Sequence, residues 1–183
     1  MSTLTSNRLA IWKIDPVHSV VEFKLKHMMI SNVKGQFTGV NGILEFDEDD
    51  LSASSVHASV QVDTINTRDT ARDTHLRSAD FFDASHFPSI TFNSTQVTRK
   101  GPEELLVKGD LAIHGVTRTV EFLVEGPTPP AKDPWGNMRI GLTATTKINR
   151  RDYGLTWNST LEAGGFLVGE EVTITLDLQF LRA

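Results

Sequence analysis

The chain has 183 residues, 39% of them hydrophobic, a formal net charge of −5 and no cysteine. This length fits one domain with a sizeable core, and the mildly acidic charge gives no overall attraction to nucleic acid or to an anionic membrane. The lack of cysteine excludes disulfides, thiolate metal sites and cysteine nucleophiles.

The N-terminal sequence MSTLTSNRLAIWKID contains no apolar run of signal-peptide length. We therefore expect a cytoplasmic protein, with residues 1–10 as a tail and residues 11–183 as one domain. No stretch of the sequence is long and apolar enough to predict a transmembrane helix, so we expect no stable insertion into a membrane.

Apolar and polar residues alternate with period two through the first part of the chain. In VHSVVEFKLKH, residues 17–27, the odd-numbered positions form an apolar face that includes Val17 and Ser19. FTGVNGILEF at 37–46 is rich in glycine, which is typical of a bent strand or a bulge at a barrel corner. VHASVQV at 56–62 alternates again, and we predict a strand in each of the three segments.

The stretch TRDTARDTHLRSADFFD, which begins at Thr67, breaks this pattern because its charges are crowded together. We predict one short helix here, over about 68–78 and near one end of the fold. Thr67 is a candidate cap, and the spacing of Asp73 and Arg77 allows an ion pair along the helix.

Five further segments alternate, and they are SITFNSTQV at 89–97, ELLVKGDLAI at 104–113, RTVEFLVEG at 118–126, RIGLTATTKI at 139–148 and EVTITLDLQF at 171–180. Eight alternating segments predict an all-β protein, an eight-stranded antiparallel barrel. The charged face must meet water, so the apolar face points inward. An outer-membrane barrel would show the opposite arrangement.

The sequence leaves open whether such a barrel is filled or hollow. Small residues on the inward face would leave room for a ligand, and they are Ser19, Ala58, Gly109, Ala144 and Thr146. The aromatic members of the inward set fit a core and a ligand wall equally well. Our candidates for the lining of the lumen are Val21, Phe23, Leu25, Val60, Phe81, Phe82, Phe92, Leu111, Ile113, Phe122, Leu142, Ile148, Trp157, Ile174 and Leu176.

Four polar residues are candidates for the mouth of the barrel. Arg72, Asp73 and His75 of the predicted helix could contact the phosphate, hydroxyl or carboxyl group of a ligand, or could be solvated charges on a helix that closes one end. His27 lies on the apolar face of the first strand, as a buried histidine bonded to the backbone or as a proton-linked contact to a ligand head group.

Motifs for a metal or for catalysis are not found. The six histidines are scattered without the spacing of metal ligands, so no metal site or cofactor is expected. Signatures of hydrolases, nucleotide-binding loops and dinucleotide-binding folds are missing as well, and no catalytic residue is assigned. His18 and Ser19 are adjacent and would point to opposite faces of a strand, so they cannot pair as a dyad.

Several uncommon clusters follow one another along the chain: Asp15 with His18 and Ser19, RDTHLRSADFFD at 72–83, FPSITF after it, GDLAIHGVT in a predicted hairpin, and Arg151 with Tyr153 and Gly154. In this order they closely resemble the YceI-like polyisoprenoid-binding family, from about Ile11 to the C-terminus. The resemblance implies an elongated lipocalin-like barrel that holds one long apolar chain, usually an isoprenoid with a polar end. It also favours a homodimer. Many relatives are periplasmic, whereas this N-terminal sequence favours a cytoplasmic branch.

We therefore predict a non-catalytic carrier or sequestering protein for a long-chain polyisoprenoid or a similar amphiphilic lipid. A strand of about ten residues spans roughly 30 Å, enough to enclose a slender chain. Two alternatives remain. An enzyme acting on a small amphiphile inside the barrel would need acid and base groups that converge. A filled barrel acting as a stress-associated interaction module would have no cavity.

Overall fold

The computed structural model describes residues 9–183 and contains, within that range, twelve β-strands and one α-helix. Their bounds are β1 (Ala10–Ile14), β2 (Val20–His27), β3 (Ser31–Phe37), β4 (Val40–Phe46), β5 (Ser55–Gln61), β6 (Ile65–Asn66), α1 (Thr70–Arg77), β7 (Ser89–Gly101), β8 (Glu104–Ile113), β9 (Val116–Glu125), β10 (Ala131–Lys132), β11 (Met138–Asn149) and β12 (Glu171–Arg182). The predicted tail falls outside the described residues except for Leu9 and Ala10, and Ala10 already begins β1.

The described strands form one antiparallel sheet that closes on itself. β12 pairs along one edge with β11 from Arg139 to Asn149, and along its other edge first with β2 and then with β1. Eight of the strands share positions in the wall two by two. The pairs are β1 with β2, β3 with β4, β5 with β6, and the long β9 with the two-residue β10. The wall therefore has eight positions, and the predicted eight-stranded antiparallel barrel is confirmed.

Three neighbouring positions in the wall are bent. A 3-10 turn, Pro16–His18, separates β1 from β2, and the Asp15 side chain caps it by accepting a hydrogen bond from the Val17 N–H at 3.0 Å. The break between β3 and β4 is bonded to the break between β5 and β6, because the hydroxyl of Thr64 accepts from the N–H of Gly39 at 3.1 Å. The bend predicted for the glycine-rich second segment is thus present.

The first bend corrects the predicted face of the first strand. Alternation places Val17 and Ser19 inward, whereas Val17 lies in the turn and is 83% exposed. The hydroxyl of Ser19 exchanges hydrogen bonds with the backbone of Gln179, at 3.2 Å to its carbonyl and 3.0 Å from its N–H. A bent wall needs these polar contacts because its ladder is interrupted.

Helix α1 lies where the charged stretch predicts it, but its interactions differ from the prediction. Asp69, not Thr67, is the N-cap, and its carboxylate accepts from the Arg72 N–H at 2.9 Å. Asp73 and Arg77 bond to other partners instead of to each other. Asp73 accepts from Thr67, whereas Arg77 donates to backbone carbonyls that precede the helix.

Buried side chains form three clusters inside the barrel. The first surrounds Phe37 and Phe180 and includes Leu76 and Phe82 from the helical segment. The second is built by strands around Phe122 and marks the half of the barrel away from α1. A third, smaller cluster lies around Tyr153. Among the described residues, no helix has the length and apolar character needed to cross a membrane.

Candidate ligand-binding cavity

The barrel encloses a cavity of about 620 Å³. Its wall is the apolar face of the strands, because every strand alternates and closure of the sheet turns the same face inward along the whole wall. The volume lies within the range of roughly 300–1,000 Å³ that is typical of sites for small molecules. The barrel is therefore hollow, and the filled-barrel alternative does not hold for this structure.

The structure places every predicted lumen residue along this cavity. Phe81 and Trp157 approach each other with ring centroids 5.2 Å apart, and they bring the segment after α1 against the loop after Tyr153. Phe82 packs edge to face on Phe37 at 5.9 Å. Contact of these side chains with a ligand remains a prediction.

The small inward residues contribute less space than the sequence suggests. Ala58 and Ala144 line the cavity. Gly109 does not leave room, because the Phe92 ring occupies the place where its side chain would be, 2.6 Å from an added Cβ. Thr146 is bonded instead to the backbone carbonyl of Glu121 at 2.9 Å.

Two of the predicted mouth residues on α1 line the cavity. Arg72 donates from Nε to the hydroxyl of Thr67 at 2.8 Å and from Nη2 to its carbonyl at 2.7 Å. His75 bonds through Nε2 to the Asp80 carboxylate at 2.8 Å, and its ring packs edge to face on Trp157 at 4.8 Å. The helix therefore presents one fixed guanidinium and one imidazole to the cavity.

Asp73 is absent from the described lining of the cavity, which corrects its predicted place at the mouth. It is 7% exposed and accepts two hydrogen bonds from Thr67, from the N–H at 2.9 Å and from the hydroxyl at 2.6 Å. Because its carboxylate is occupied in this way, Asp73 ties α1 to the residue that follows β6.

His27, the fourth predicted mouth residue, ends β2, is half-buried and lines the cavity. It forms an isolated antiparallel bridge with Val168. The sequence analysis missed Lys26 and Asp69, which line the same end of the cavity. The charged residues of the lining are of both signs, with three cations, Lys26, Arg72 and Arg150, against one carboxylate, Asp69.

Arg150 is the main lining residue that the sequence analysis missed. It is 4% exposed, and its guanidinium donates to four backbone carbonyls, those of Leu155, Trp157, Val168 and Gly169, at 2.6 to 3.2 Å. Burial lowers the pKa of this guanidinium, which nevertheless stays protonated at neutral pH. Alternation along β11 could have found it, since Ile148 points inward and Arg150 lies two residues further.

Tyr153 belongs to a motif of the resemblance but is absent from the lining of the cavity. It is 1% exposed, and its hydroxyl has no hydrogen-bond partner among the described residues. Burial raises its pKa to about 12, so the hydroxyl stays protonated at neutral pH. Its carbonyl accepts from the His114 ring at 3.1 Å, and Gly154 follows with a φ of 74°.

The histidines do not form a catalytic or metal-binding arrangement in the described part of the chain. Residues 9–183 contain no group of three or more His, Asp or Glu side chains that could hold a metal ion. Ser85 and Asp83 both contact the same nitrogen of His86, Nδ1, whereas a catalytic relay uses one ring nitrogen for each partner. Ser19 is engaged with Gln179, away from His18.

Several solved structures resemble this fold. BcnA of Burkholderia cenocepacia aligns with a TM-score of 0.77 at 22% identity, covering 91% of this chain and 98% of that protein. A polyisoprenoid-binding domain from Saccharophagus degradans aligns with a TM-score of 0.68 at 15% identity, covering 96% and 99%. At these identities the likeness concerns the fold.

The sequence comparisons are more specific. UPF0312 protein SA2479 of Staphylococcus aureus strain N315 is 39% identical over 167 residues, which cover 91% of this chain and 94% of that protein. The model of the YceI-like domain matches residues 12–180. Nearly the whole barrel, from β1 to β12, is contained in that match. The chain therefore belongs to the YceI-like family.

Proposed function

We propose that this protein is a non-catalytic carrier or sequestering protein for a long-chain polyisoprenoid or a similar amphiphilic lipid. The apolar chain lies in the barrel, and its polar end meets the groups near α1. The observation that carries this proposal is the form of the cavity, an apolar lumen of about 620 Å³ with Arg72 and the two histidines at one end.

The chemistry of the wall explains why a long apolar chain suits this cavity. Most of its lining side chains are hydrocarbon, so binding derives chiefly from removing apolar surface from water. Each buried CH₂ contributes roughly 0.8 kcal/mol, and several isoprene units outweigh the entropy lost on ordering the chain. Such a site selects ligands by the length and width of their apolar chain, and the polar end sets the orientation of the bound ligand.

The groups at the mouth favour a polar end that accepts hydrogen bonds. Arg72 is held by Thr67 through Nε and Nη2, which fixes the direction of the guanidinium fork. A guanidinium held in this way suits phosphate or carboxylate, and also the oxygen of a hydroxyl group. Support comes also from the domain of Saccharophagus degradans, which is described as polyisoprenoid-binding and shares the fold.

The test is organic extraction of the purified protein followed by mass spectrometry. We expect a long-chain lipid in stoichiometric amount, or, from protein stripped by extraction, stoichiometric uptake of an added long-chain prenyl alcohol. An unrelated protein purified in parallel controls for lipid carried over from the cells. A clean extract together with no uptake would refute the proposal.

The proposal includes a cytoplasmic location and a homodimer, each with its own measurement. Cell fractionation tests the first, and light scattering of the purified protein over a range of concentrations tests the second. A periplasmic protein or a monomer would change these two statements without changing the proposed ligand, because the cavity described here lies within a single chain.

A further inference from the structure

The turn between β2 and β3 exposes large apolar side chains beside the cavity. Met29 is 66% exposed and Ile30 is 79% exposed, with Met28 at 41%. Phe166, from the loop before β12, is 53% exposed. We call these four residues the apolar tip. The two segments are joined, because the Met28 N–H donates to the carbonyl of Leu167 at 2.7 Å.

This turn is unusual in its residues. Met28 and Met29 have φ values of 53° and 63°, a conformation that favours Gly, Asn or Asp. A turn that served only to reverse the chain in water would be less strained and better solvated with those residues. The chain instead holds methionine there and follows it with an exposed isoleucine.

A basic surface adjoins the apolar tip. Lys24, Lys26 and Lys34 are exposed on the outer face of β2 and β3, and Lys24 lies directly opposite Lys34. Like charges in facing positions repel each other, so the pairing is unfavourable for the isolated fold. The next position toward the tip pairs Lys26 with Asn32.

A few acidic residues border this basic surface. Glu22 lies two cross-strand pairs further from the tip than Lys24, opposite Gln36, and the neighbour of Lys24 on β12 is Thr173. The loop that carries Phe166 has two acidic residues, Glu162 and Glu170, and Glu170 pairs with Arg151 at 3.1 Å. Although the chain has a net charge of −5, the three lysines of β2 and β3 therefore form a basic surface next to the apolar tip.

We propose that the apolar tip and the three lysines behind it dock the protein on an anionic lipid surface. The apolar side chains enter the boundary between head groups and acyl chains, and the lysines meet the anionic head groups. A second copy of this chain fits the same surface poorly, since a symmetric contact would bring the two sets of lysines together.

Docking in this orientation would place the mouth of the cavity at the membrane. Lys26 and His27 on one side of the tip, and Leu167 and Val168 on the other, line the cavity. Docking itself does not depend on what the cavity holds. The statement that docking serves to exchange a lipid between the cavity and the membrane rests on the proposed function.

The test is sedimentation of the full chain with vesicles of phosphatidylglycerol and phosphatidylcholine in equal parts, compared with vesicles of phosphatidylcholine alone. We expect binding to the mixed vesicles that weakens as salt is added. Substitution of both Ile30→Ser and Phe166→Ser should lower the fraction bound at least about tenfold. Substitution of both Lys24→Glu and Lys34→Glu should remove the preference for anionic vesicles.

Two controls match these variants. Trp135→Ser removes an apolar side chain that is 80% exposed in another loop, and Lys108→Glu reverses an exposed lysine on β8. Both should bind vesicles like the wild type, and all variants should keep its melting temperature.

Three results would overturn the inference. The first is no binding of the wild type to the mixed vesicles at low salt. The second is a loss of vesicle binding in Trp135→Ser equal to that in the double variant. The third is a wild-type dimer that dissociates when Ile30→Ser and Phe166→Ser are combined. The last would show that a second copy covers the surface. Uptake of a soluble fluorescent fatty acid without vesicles tests the cavity separately, and its failure would count against the proposed function alone.

Discussion

Arg139 joins two carboxylates at the first bend of the wall. It donates from Nη1 to Asp15 and from Nε to Asp133, both at 2.7 Å, with all three side chains less than a fifth exposed. The hydrogen bonds from Arg139 and then from His18 lower the pKa of Asp15 to about 2. Burial alone would raise the pKa of Asp133, but bonds from Arg139 and Asn137 hold it below its ordinary value. The long loop before β11 is thereby fastened to the bend.

We predict that Asp15→Asn destabilises the protein at neutral pH but not in acid. The folded pKa of Asp15 is below its unfolded value of about 3.9, so its stabilisation is present above pH ~4 and is lost as pH falls through ~2. The loss should be roughly 1–2 kcal/mol at pH ~6 after allowance for solvent screening, and near zero at pH ~2. Asparagine can still accept from the Val17 N–H, so the turn is kept.

Urea denaturation of both proteins across this pH range measures the difference. A gap that stays constant with pH would show that packing, and not the charge of Asp15, stabilises the bend. Glu103→Gln, in an exposed turn, is the matched control and should follow the wild type at each pH.

At the scale of residues, alternation predicts which apolar side chains point inward. Successive side chains of a strand point to opposite faces of the sheet, so the apolar residues at every second position share the inner face. Alternation does not predict which charged groups point inward. Asp73 and Arg72 are neighbours on one helix and both bond to Thr67, yet only Arg72 lines the cavity. Arg150 was overlooked because an arginine after a strand is ordinarily solvated, whereas here four carbonyls replace the water.

At the scale of elements, the loop between Tyr153 and β12 closes one side of the mouth. Arg150 holds both ends of this loop, bonding Leu155 and Trp157 at its start and Val168 and Gly169 at its end. A single side chain thus fixes a segment that carries little regular structure. The same loop supplies Trp157 to the aromatic contact with His75 and Phe81.

We predict that Arg150→Met frees this loop while the barrel stays folded. Four carbonyls lose a charged donor, and each such bond contributes about 1.5–3 kcal/mol. The backbone amides of Leu167 and Gly169 should therefore exchange with solvent at least about tenfold faster. A bound fluorescent fatty acid should also dissociate faster, because Trp157 no longer closes the mouth.

Hydrogen exchange followed by mass spectrometry, with stopped-flow release of the fluorescent ligand, measures the two effects. Arg151→Met is the matched control, since Arg151 is exposed and pairs with Glu170 at 3.1 Å outside the cavity. Equal effects from both variants would mean that Arg150 has no special part in holding the loop.

The strands that the sequence did not predict are β1, β3, β6 and β10, and the first three of them lie next to the bends. β1 has five residues before Pro16, too few for alternation to distinguish it from a tail, and β6 has two. Both are strands because their neighbours pair with them across a bent wall. The long strands β7, β8, β11 and β12 were predictable since each is ten to thirteen residues of unbroken pattern.

At the scale of the whole molecule, the cavity extends from the polar groups near α1 into the half built by strands alone. Phe122, Val124 and Ala144 line that inner half and belong to the buried cluster that excludes the helical segment. A chain anchored by its polar end near Arg72 would reach these residues only with its distal carbons. The inner half should therefore set the longest chain that fits.

We predict that Ala144→Phe shortens the preferred ligand. An aromatic ring in place of the Ala144 methyl would fill space that distal carbons need, and displacing two CH₂ groups weakens binding about tenfold at roughly 0.8 kcal/mol each. Affinity for the longest prenyl alcohols should fall, while affinity for short ones stays near that of the wild type.

Thr145→Phe adds the same ring to the outer face of β11, where the residue is exposed, and this variant should bind the whole series like the wild type. Competition of each alcohol against a fluorescent fatty acid measures the series. An equal loss at every length would mean that the ring distorts the barrel, whereas no loss at any length would mean that ligand does not reach the inner half.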